Sequence, residues 1–492
     1  MLLMKMIKPM SKFADDHRPN SVVISQRLPL QQVLGRVSRL ALAAILVFGS
    51  AANGWAAGGS TELKEEPTEY LDDEQLPARS KPLVEVGEKF LSTGNIRRGI
   101  ELPTGAVWTP AFWVYGNFRS AYQEFDIPGE ETMSEWANRL DLFANLQLTG
   151  TERVLLGLTP LHENGRFSGR VFSPDSSEER IEEYNLRVDT FFFEGDFAEL
   201  FPRLDYEDSS SNDYGFSIGR QLIQFQDGFL VNDNMDGFGI SKNNIRFPGN
   251  DSIINIRSSL FLGLDKVHRH TNTLDEDAKL FGLFNQIDGL NRTYNIDFVY
   301  VDSDSRGDLY NVGIDSTQRL GKINQTLRFA ASQASGAVTE DADDGMILFA
   351  EFSIVPPRTN DNAYFNAFST FDNYRSAARG PAAGGPLGRT GILFSGQSLG
   401  NFPTPISNSA DESSGFALGY QRFLSNNRKQ FIVETGGRFD QDDGTGDEYG
   451  LGLRYQQALG NRSFLQFDVF ATKFDGSSDA DYGSRLELQV KF

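Results

Sequence analysis

The residue types that usually carry chemistry are sparse in this chain: four histidines and no cysteine in 492 residues. The missing thiols exclude a disulfide framework, a zinc-thiolate site and a thiol nucleophile. His17 falls in a leader segment and His162 stands alone. His268 and His270 share one face of a strand or loop edge, but no third ligand lies near them, so they read as two solvated histidines with no metal bound. Asp440-Gln441-Asp442-Asp443-Gly444 has a calcium-like ring to it. Its glycine falls one place early for an EF-hand loop, however, and the closing glutamate is absent, so it reads as a hydrated loop, with divalent bridges to lipopolysaccharide a further option. The string G-x-S-x-G occurs at 215–219 and 396–400, but inside a predicted strand and a predicted loop and not at the strand-to-helix turn of a nucleophile elbow, and no H-E-x-x-H occurs. No catalytic residue, metal or cofactor is expected.

What remains is the chemistry of fixed charge along a watery path, which sorts ions and polar solutes without bond making. Alternation along predicted strands aims Arg139, Asp141, Arg187 and Asp189 toward one side, away from the leucines between and around them. The densest polar segment runs from Asp213 to Gly237 and includes Arg220, Gln221, Asn232 and Asn234. Arg220 has a second expected use, as a strand-end partner for Asp227 or another wall carboxylate.

Strands must position these groups. Leu486, Leu488, Val490 and Phe492 alternate with Glu487, Gln489 and Lys491 at the chain terminus, so one face suits lipid and the other water. This is how the closing strand of an outer-membrane barrel reads. Leu140, Leu142, Ala144, Leu146 and Leu148 repeat the pattern against Arg139, Asp141, Phe143, Asn145 and Gln147, before a tight turn leads to a strand at 153–159. Further strands are predicted at 184–195, 214–225, 253–264, 294–301, 309–315, 325–332, 346–354, 416–423, 430–439, 449–458 and 464–474. In the last third, short turns at 424–429 and 459–463 alternate with long loops at 440–448 and 475–482, as they do in a barrel with short periplasmic turns and long external loops. The spacing predicts an all-β antiparallel transmembrane barrel of 16–18 strands, with 18 favoured. The run GPAAGGPLGRTG at 380–391 cannot sustain a ladder. It is predicted to lie in a long external loop, 374–414, that either folds into the mouth as a gate or stays at the surface.

Arg27, Arg36 and Arg39 precede an apolar run from Leu40 to Phe48, too short for roughly 30 Å of hydrocarbon, and Gly54-Trp55-Ala56 offers small residues at a cleavage site. The predicted organisation is a signal peptide at 1–56, an acidic, largely disordered periplasmic extension at 57–107 with one short helix near 83–92, and the barrel at 108–492. Forty Phe, fifteen Tyr and 48 Gly suit lipid-facing aromatics, interfacial girdles and turns, while a mean hydropathy of -0.37 suits strands with one wet face. The formal net charge of -21 excludes a nucleic-acid partner.

The segment Gly219-Arg220-Gln221, with Gly228 and then Asn232 and Asn234 following, resembles the alginate-export family of outer-membrane barrels. The turn 146–153 and the terminal Phe492 are similar to those of the wider porin superfamily. The resemblance implies a channel lined by Arg and by Asp or Asn that passes an acidic polysaccharide, and it carries over to Arg220, Asn232 and Asn234. Leu222 and Gln224 depart from it, where further arginine would continue the pattern. The expected function is passive passage of a polysaccharide or of small hydrophilic solutes through a charged, loop-restricted lumen. A general or anion-selective porin, a barrel enzyme and a structural outer-membrane protein are the alternatives. Expected partners are outer-membrane lipid and lipopolysaccharide, the barrel assembly machinery, and the solute itself.

Overall fold

The computed structural model describes residues 81–87, 99–126, 132–172, 179–204, 213–249, 252–441, 446–475, 477 and 479–492. The leader 1–56 and most of the acidic extension lie outside these residues, as does most of the calcium-like loop. All described residues belong to the unit Asp72–Phe492.

An 18-stranded antiparallel barrel forms from β1 (Ala111–Phe125), β2 (Met133–Gln147), β3 (Arg153–Leu158), β4 (Val188–Asp196), β5 (Tyr214–Phe225), β6 (Val231–Ile245), β7 (Ile253–Asp265), β8 (Lys279–Gly289), β9 (Arg292–Asp302), β10 (Asp308–Leu320), β11 (Ile323–Ser335), β12 (Gly345–Ile354), β13 (Asn362–Asp372), β14 (Ser413–Leu424), β15 (Lys429–Asp440), β16 (Glu448–Ala458), β17 (Ser463–Phe474) and β18 (Asp481–Lys491). Each pairs with its sequence neighbour, and β18 also pairs with β1, from Gly483↔Phe125 to Lys491↔Asn117. Reciprocal backbone bonds between Gly116 and Phe492, at 2.8 and 3.0 Å, finish the seam. Closure leaves no strand edge unpaired in hydrocarbon, which is the condition for a β-structure to cross a bilayer.

Side-chain alternation does the sorting. On β18, Leu486 and Leu488 are 46% and 38% exposed on the outer face, whereas Arg485 and Glu487 are 1% and 2% exposed on the inner one. The terminal pattern therefore divides as the sequence suggested. Turns at 290–291, 321–322, 425–428 and 459–462 mark the periplasmic rim, and loops at 159–187, 266–278 and 373–412 the outer one. The connection 197–213 is a long exception on the short-turn side, opened by a single helical turn, Phe197–Leu200, capped by Asp196.

Three differences from the sequence reading have physical causes. Within 83–92, residues Val84–Val86 are not helical; they extend β-structure by pairing with Phe112–Val114 of β1. The strand expected at 184–195 starts at Val188, because Asn185 is held in a loop by bonds to His162 and Glu183 carbonyls. Strands β1, β6, β8 and β13 fall outside the predicted ranges. Their inward residues include Phe125, Met235, Leu280, Phe284 and Phe368, which join a hydrophobic cluster inside the lumen. An apolar interior face erases the apolar-polar alternation by which such strands are read.

That interior cluster is the second organising feature. The β5–β6 connection, Gln226–Leu230, and the loop 373–412 both turn inward, burying Phe229, Leu230, Tyr374, Leu387, Leu393, Phe394 and Ile406 together. The top of β6 leaves β7 above Asp236 and pairs instead, in parallel, with Ala378–Arg379 of the long loop.

Candidate functional site

The loop 373–412 crosses the lumen and is pinned on several sides. Four inward arginines converge on its middle: Arg119 Nη2 and Arg139 Nη1 donate to the carbonyls of Gln397 and Ser398 at 2.9 and 3.1 Å. Arg454 Nη2 and Arg485 Nη1 donate to Gln397 Oε1 at 3.1 and 3.4 Å. Each also has a wall carboxylate: Arg119–Glu487 at 2.5 Å, Arg139–Asp141 at 2.9 Å, Arg454–Asp468 at 2.5 Å and Arg485–Asp468 at 3.2 Å. The row of cations is thus largely neutralised where it stands. Wall carboxylates hold the loop as well. Glu434 accepts from the Ile392 and Leu393 amides at 2.9 and 2.8 Å, and Glu448 from that of Ser407 at 2.8 Å. Contact is close enough to need glycine twice. A Cβ on Gly391 would collide with the Glu434 carboxylate, and one on Gly400, whose φ is +69°, with Gln123 and Glu135.

Arg379 ties the two inward segments together. Its guanidinium donates to the carbonyls of Gly228 (2.6 Å), Gly384 (2.6 Å), Ala383 (3.2 Å) and Gly385 (2.8 Å), with no carboxylate partner among the described residues. Burial pulls its pKa down to about 10, which leaves it charged at neutral pH. Tyr374 adds a bond from its hydroxyl to the Phe229 carbonyl at 3.0 Å.

Beneath this strap lies a cavity of about 530 Å³. Asp227, Gly388, Arg389 and Ile392 form its roof, and Asn324, Thr326, Glu351, Asn362, Tyr364, Asn366, Gln421 and Arg454 its walls. Arg389 is the most open cation, yet it sits 3.6 Å from Asp227 and 3.8 Å from Glu351. Asp227 is also held by Arg328 at 2.5 Å.

Four of the residues expected in the path come together in an outer vestibule. Arg139–Asp141 and Arg187–Asp189, the latter at 3.2 Å, surround His162. His162 is buried and stacked on Phe167. Burial, then the field of Arg139, lowers its pKa to about 4. A register shift between Val188 and Thr190 turns Asp189 toward this group and toward Asn234, whose amide donates to it at 2.5 Å. Asn232 serves through its backbone, its carbonyl accepting from Gly380 at 2.8 Å.

Arg220 is a correction. It lies on the strand face of Ile218 and Leu222, which are 54% and 59% exposed, and opposite the face of buried Gln221 and Ile223. Strand alternation directs it away from the lumen, and Asp227, its expected partner, pairs with Arg328 and Arg389. The histidines are corrected too. His268 is buried against Asp233 at 2.8 Å, and His270 Nδ1 accepts from the Ser376 amide at 3.0 Å, because their loop folds inward instead of standing in solvent. Arg379, Arg389, Gln397 and Glu434 escaped the sequence reading. Two of these flank or end the Gly/Pro-rich run, a position that marks an arginine without marking which way its loop will fold.

No family model and no curated protein matches the sequence. Among solved structures the fold is similar to Pseudomonas aeruginosa OccK5 (OpdH), with a TM-score of 0.51 at 13% identity over 77% of this chain and 98% of that one. OccK11 (OpdR) of the same organism gives 0.51 at 10% identity over 77% and 96%. OccK2 (OpdF), solved in complex with glucuronate, gives 0.51 at 12% identity over 77% and 98%. The likeness is one of fold: the chain forms an 18-stranded antiparallel β-barrel of the architecture these proteins share. The alginate-export resemblance gains no support. Its motif sits where β5 begins to leave the wall, at Gly219 with φ +119°, so Gly-Arg-Gln serves backbone shape there.

Proposed function

We propose that the chain is a passive channel for small hydrophilic solutes and neither an enzyme nor a polysaccharide exporter. One observation carries this reading: a loop pinned to the wall by its own backbone crosses the lumen, and the cavity beneath it has a volume of about 530 Å³, the scale of one small ligand. An extended polymer would need the strap withdrawn, against the bonds of Arg379 and the four wall arginines.

Solutes enter past the vestibule around His162, pass the strap and leave across the cavity to the periplasm. Because the cations of the wall are matched by carboxylates, charge selection is weak and size selection strong. The anion-selective alternative draws only on Arg389, which two carboxylates already flank. The outward leucines and aromatics support a reading with outer-membrane lipid and lipopolysaccharide around the wall, and the C-terminal strand supports insertion by the barrel assembly machinery.

Reconstituted protein is expected to conduct ions in planar bilayers and to admit monosaccharides into liposomes much faster than long oligosaccharides. A folded barrel that carries no current, or one that passes long oligosaccharides unhindered, would end this reading.

A further inference from the structure

We infer that the periplasmic half of the lumen is a binding site for uncharged polyhydroxyl solutes of sugar size; the inference rests on the channel reading and names its solute class. Side chains of successive strands form a hydrogen-bonded amide belt. Gln421 of β14 donates to Gln430 of β15 at 2.7 Å, Gln430 donates to Gln456 of β16, Gln456 to Gln466 of β17, and Gln466 to Asp468 at 2.7 Å. Strand register sets this up, placing Gln430 opposite Gln456 and Gln456 opposite Gln466. Across the seam, a separate amide pair has Gln489 of β18 donating to Asn117 of β1 at 2.6 Å.

Each glutamine in such a chain spends one N–H and one lone pair on its neighbours and keeps one of each. Gln421, Gln430 and Gln456 are only partly buried, so the spare groups face the lumen. A surface that both donates and accepts, and carries no net charge, is complementary to hydroxyls, which do the same. It offers nothing special to a carboxylate, which only accepts.

The belt runs into the cavity at Gln421, and the adjoining strands β11–β13 carry the same chemistry in Asn324, Thr326, Ser353 and Asn362, the last directly opposite Gln421 in the register. Tyr364 lines it too. Its hydroxyl is occupied by Glu434, which leaves the ring as the apolar surface that a sugar's C–H face needs. The charges at the border cancel one another: Arg389 lies between Asp227 and Glu351, and Arg454 is held by Asp468 at 2.5 Å. Net field therefore selects little here, and hydrogen-bond complementarity decides.

The test uses full-length protein in detergent, titrated calorimetrically with glucose and with glucuronate, which differ by one carboxylate at nearly equal size. Glucose is expected to bind at least tenfold more tightly than glucuronate, and the double variant Q430L/Q456L to lose at least tenfold in glucose affinity while keeping heat-modifiable mobility. Glucuronate binding as tightly as glucose, or a folded double variant with unchanged glucose affinity, overturns the inference. The wild-type comparison decides even if the variant fails to assemble. Ion conductance without glucose binding sinks this inference alone; glucose binding without conductance sinks the channel reading instead.

Discussion

At the scale of single residues, Arg379 shows how a buried cation is held by backbone carbonyls. Bonds from a charged donor contribute about 1.5–3 kcal/mol each, and the planar fork presents its donors in directions an ammonium cannot match. Four loop and turn carbonyls depend on that fork. Arg379→Met is therefore expected to free the strap, raising single-channel conductance severalfold and exposing 380–390 to protease. Arg379→Lys should resemble Met more than wild type. Unchanged conductance in both variants would show that the apolar cluster alone holds the strap. Arg139 and Arg220 make a contrasting pair. Arg139 faces the lumen beside Asp141, whereas Arg220 lies on the outer strand face. At low salt, Arg139→Glu is expected to shift the reversal potential toward cation preference and Arg220→Gln to leave it in place, with the shift fading at 1 M salt as screening shortens to about 3 Å. Equal shifts in both variants would contradict the assigned strand face.

At the scale of elements, the inward loops carry a pH dependence. His162 has a folded-state pKa of about 4, lowered first by burial and next by Arg139, against an ordinary value of 6.5. His270 in the neighbouring loop is lowered in the same direction, to about 3, by burial and by Arg375 and Arg379. Above 6.5 both histidines are neutral whether the loop is folded or open, and no penalty arises. Below 6.5 the opened loop takes up a proton that the folded loop refuses. Folding of the vestibule thus weakens by about 1.4 kcal/mol per pH unit as pH falls from 6.5 toward 4 for His162. Loop proteolysis and current noise are expected to be flat between pH 7 and 9 and to rise at pH 4.5, with His162→Phe removing part of the rise. A rise confined to alkaline pH would refute the assignment.

Across the whole molecule, closure is one cooperative act. β18 is shared by β17 and β1, and the Gly116–Phe492 bonds lock the final register. Removing 486–492 deletes most of the seam and leaves β1 with open N–H and C=O groups, each costing several kcal/mol in hydrocarbon. The truncated chain is expected to fail assembly, and the intact one to migrate faster unheated than boiled in detergent electrophoresis. Normal heat-modifiable migration of the truncated protein would show that another strand can close the barrel.

How much of this was written in the chain differs by level. Period-2 alternation in 140–148 and 486–492, and turns sorted by length in the last third, sufficed for a closed antiparallel barrel of 16–18 strands, because lipid on one side and water on the other impose that pattern locally. The Gly/Pro run at 380–391 likewise identified a loop by what it cannot do, which is hold a ladder. Only the tertiary structure decided where that loop goes. Its path depends on Arg379 meeting the Gly228 carbonyl of a turn far away in sequence, on Glu434 reaching the amides of Ile392 and Leu393, and on an apolar cluster assembled from β6, β8, β13 and both inward segments. The same nonlocal burial hid β6, β8 and β13 by making their inner faces apolar, and β1 escaped the sequence reading with them. It also took His268 and His270 out of solvent, while parity and a bend at Gly219 sent Arg220 to the outer face. A local pattern reports which solvent a strand face meets when that solvent is lipid or water; it cannot report a face covered by a distant part of the chain.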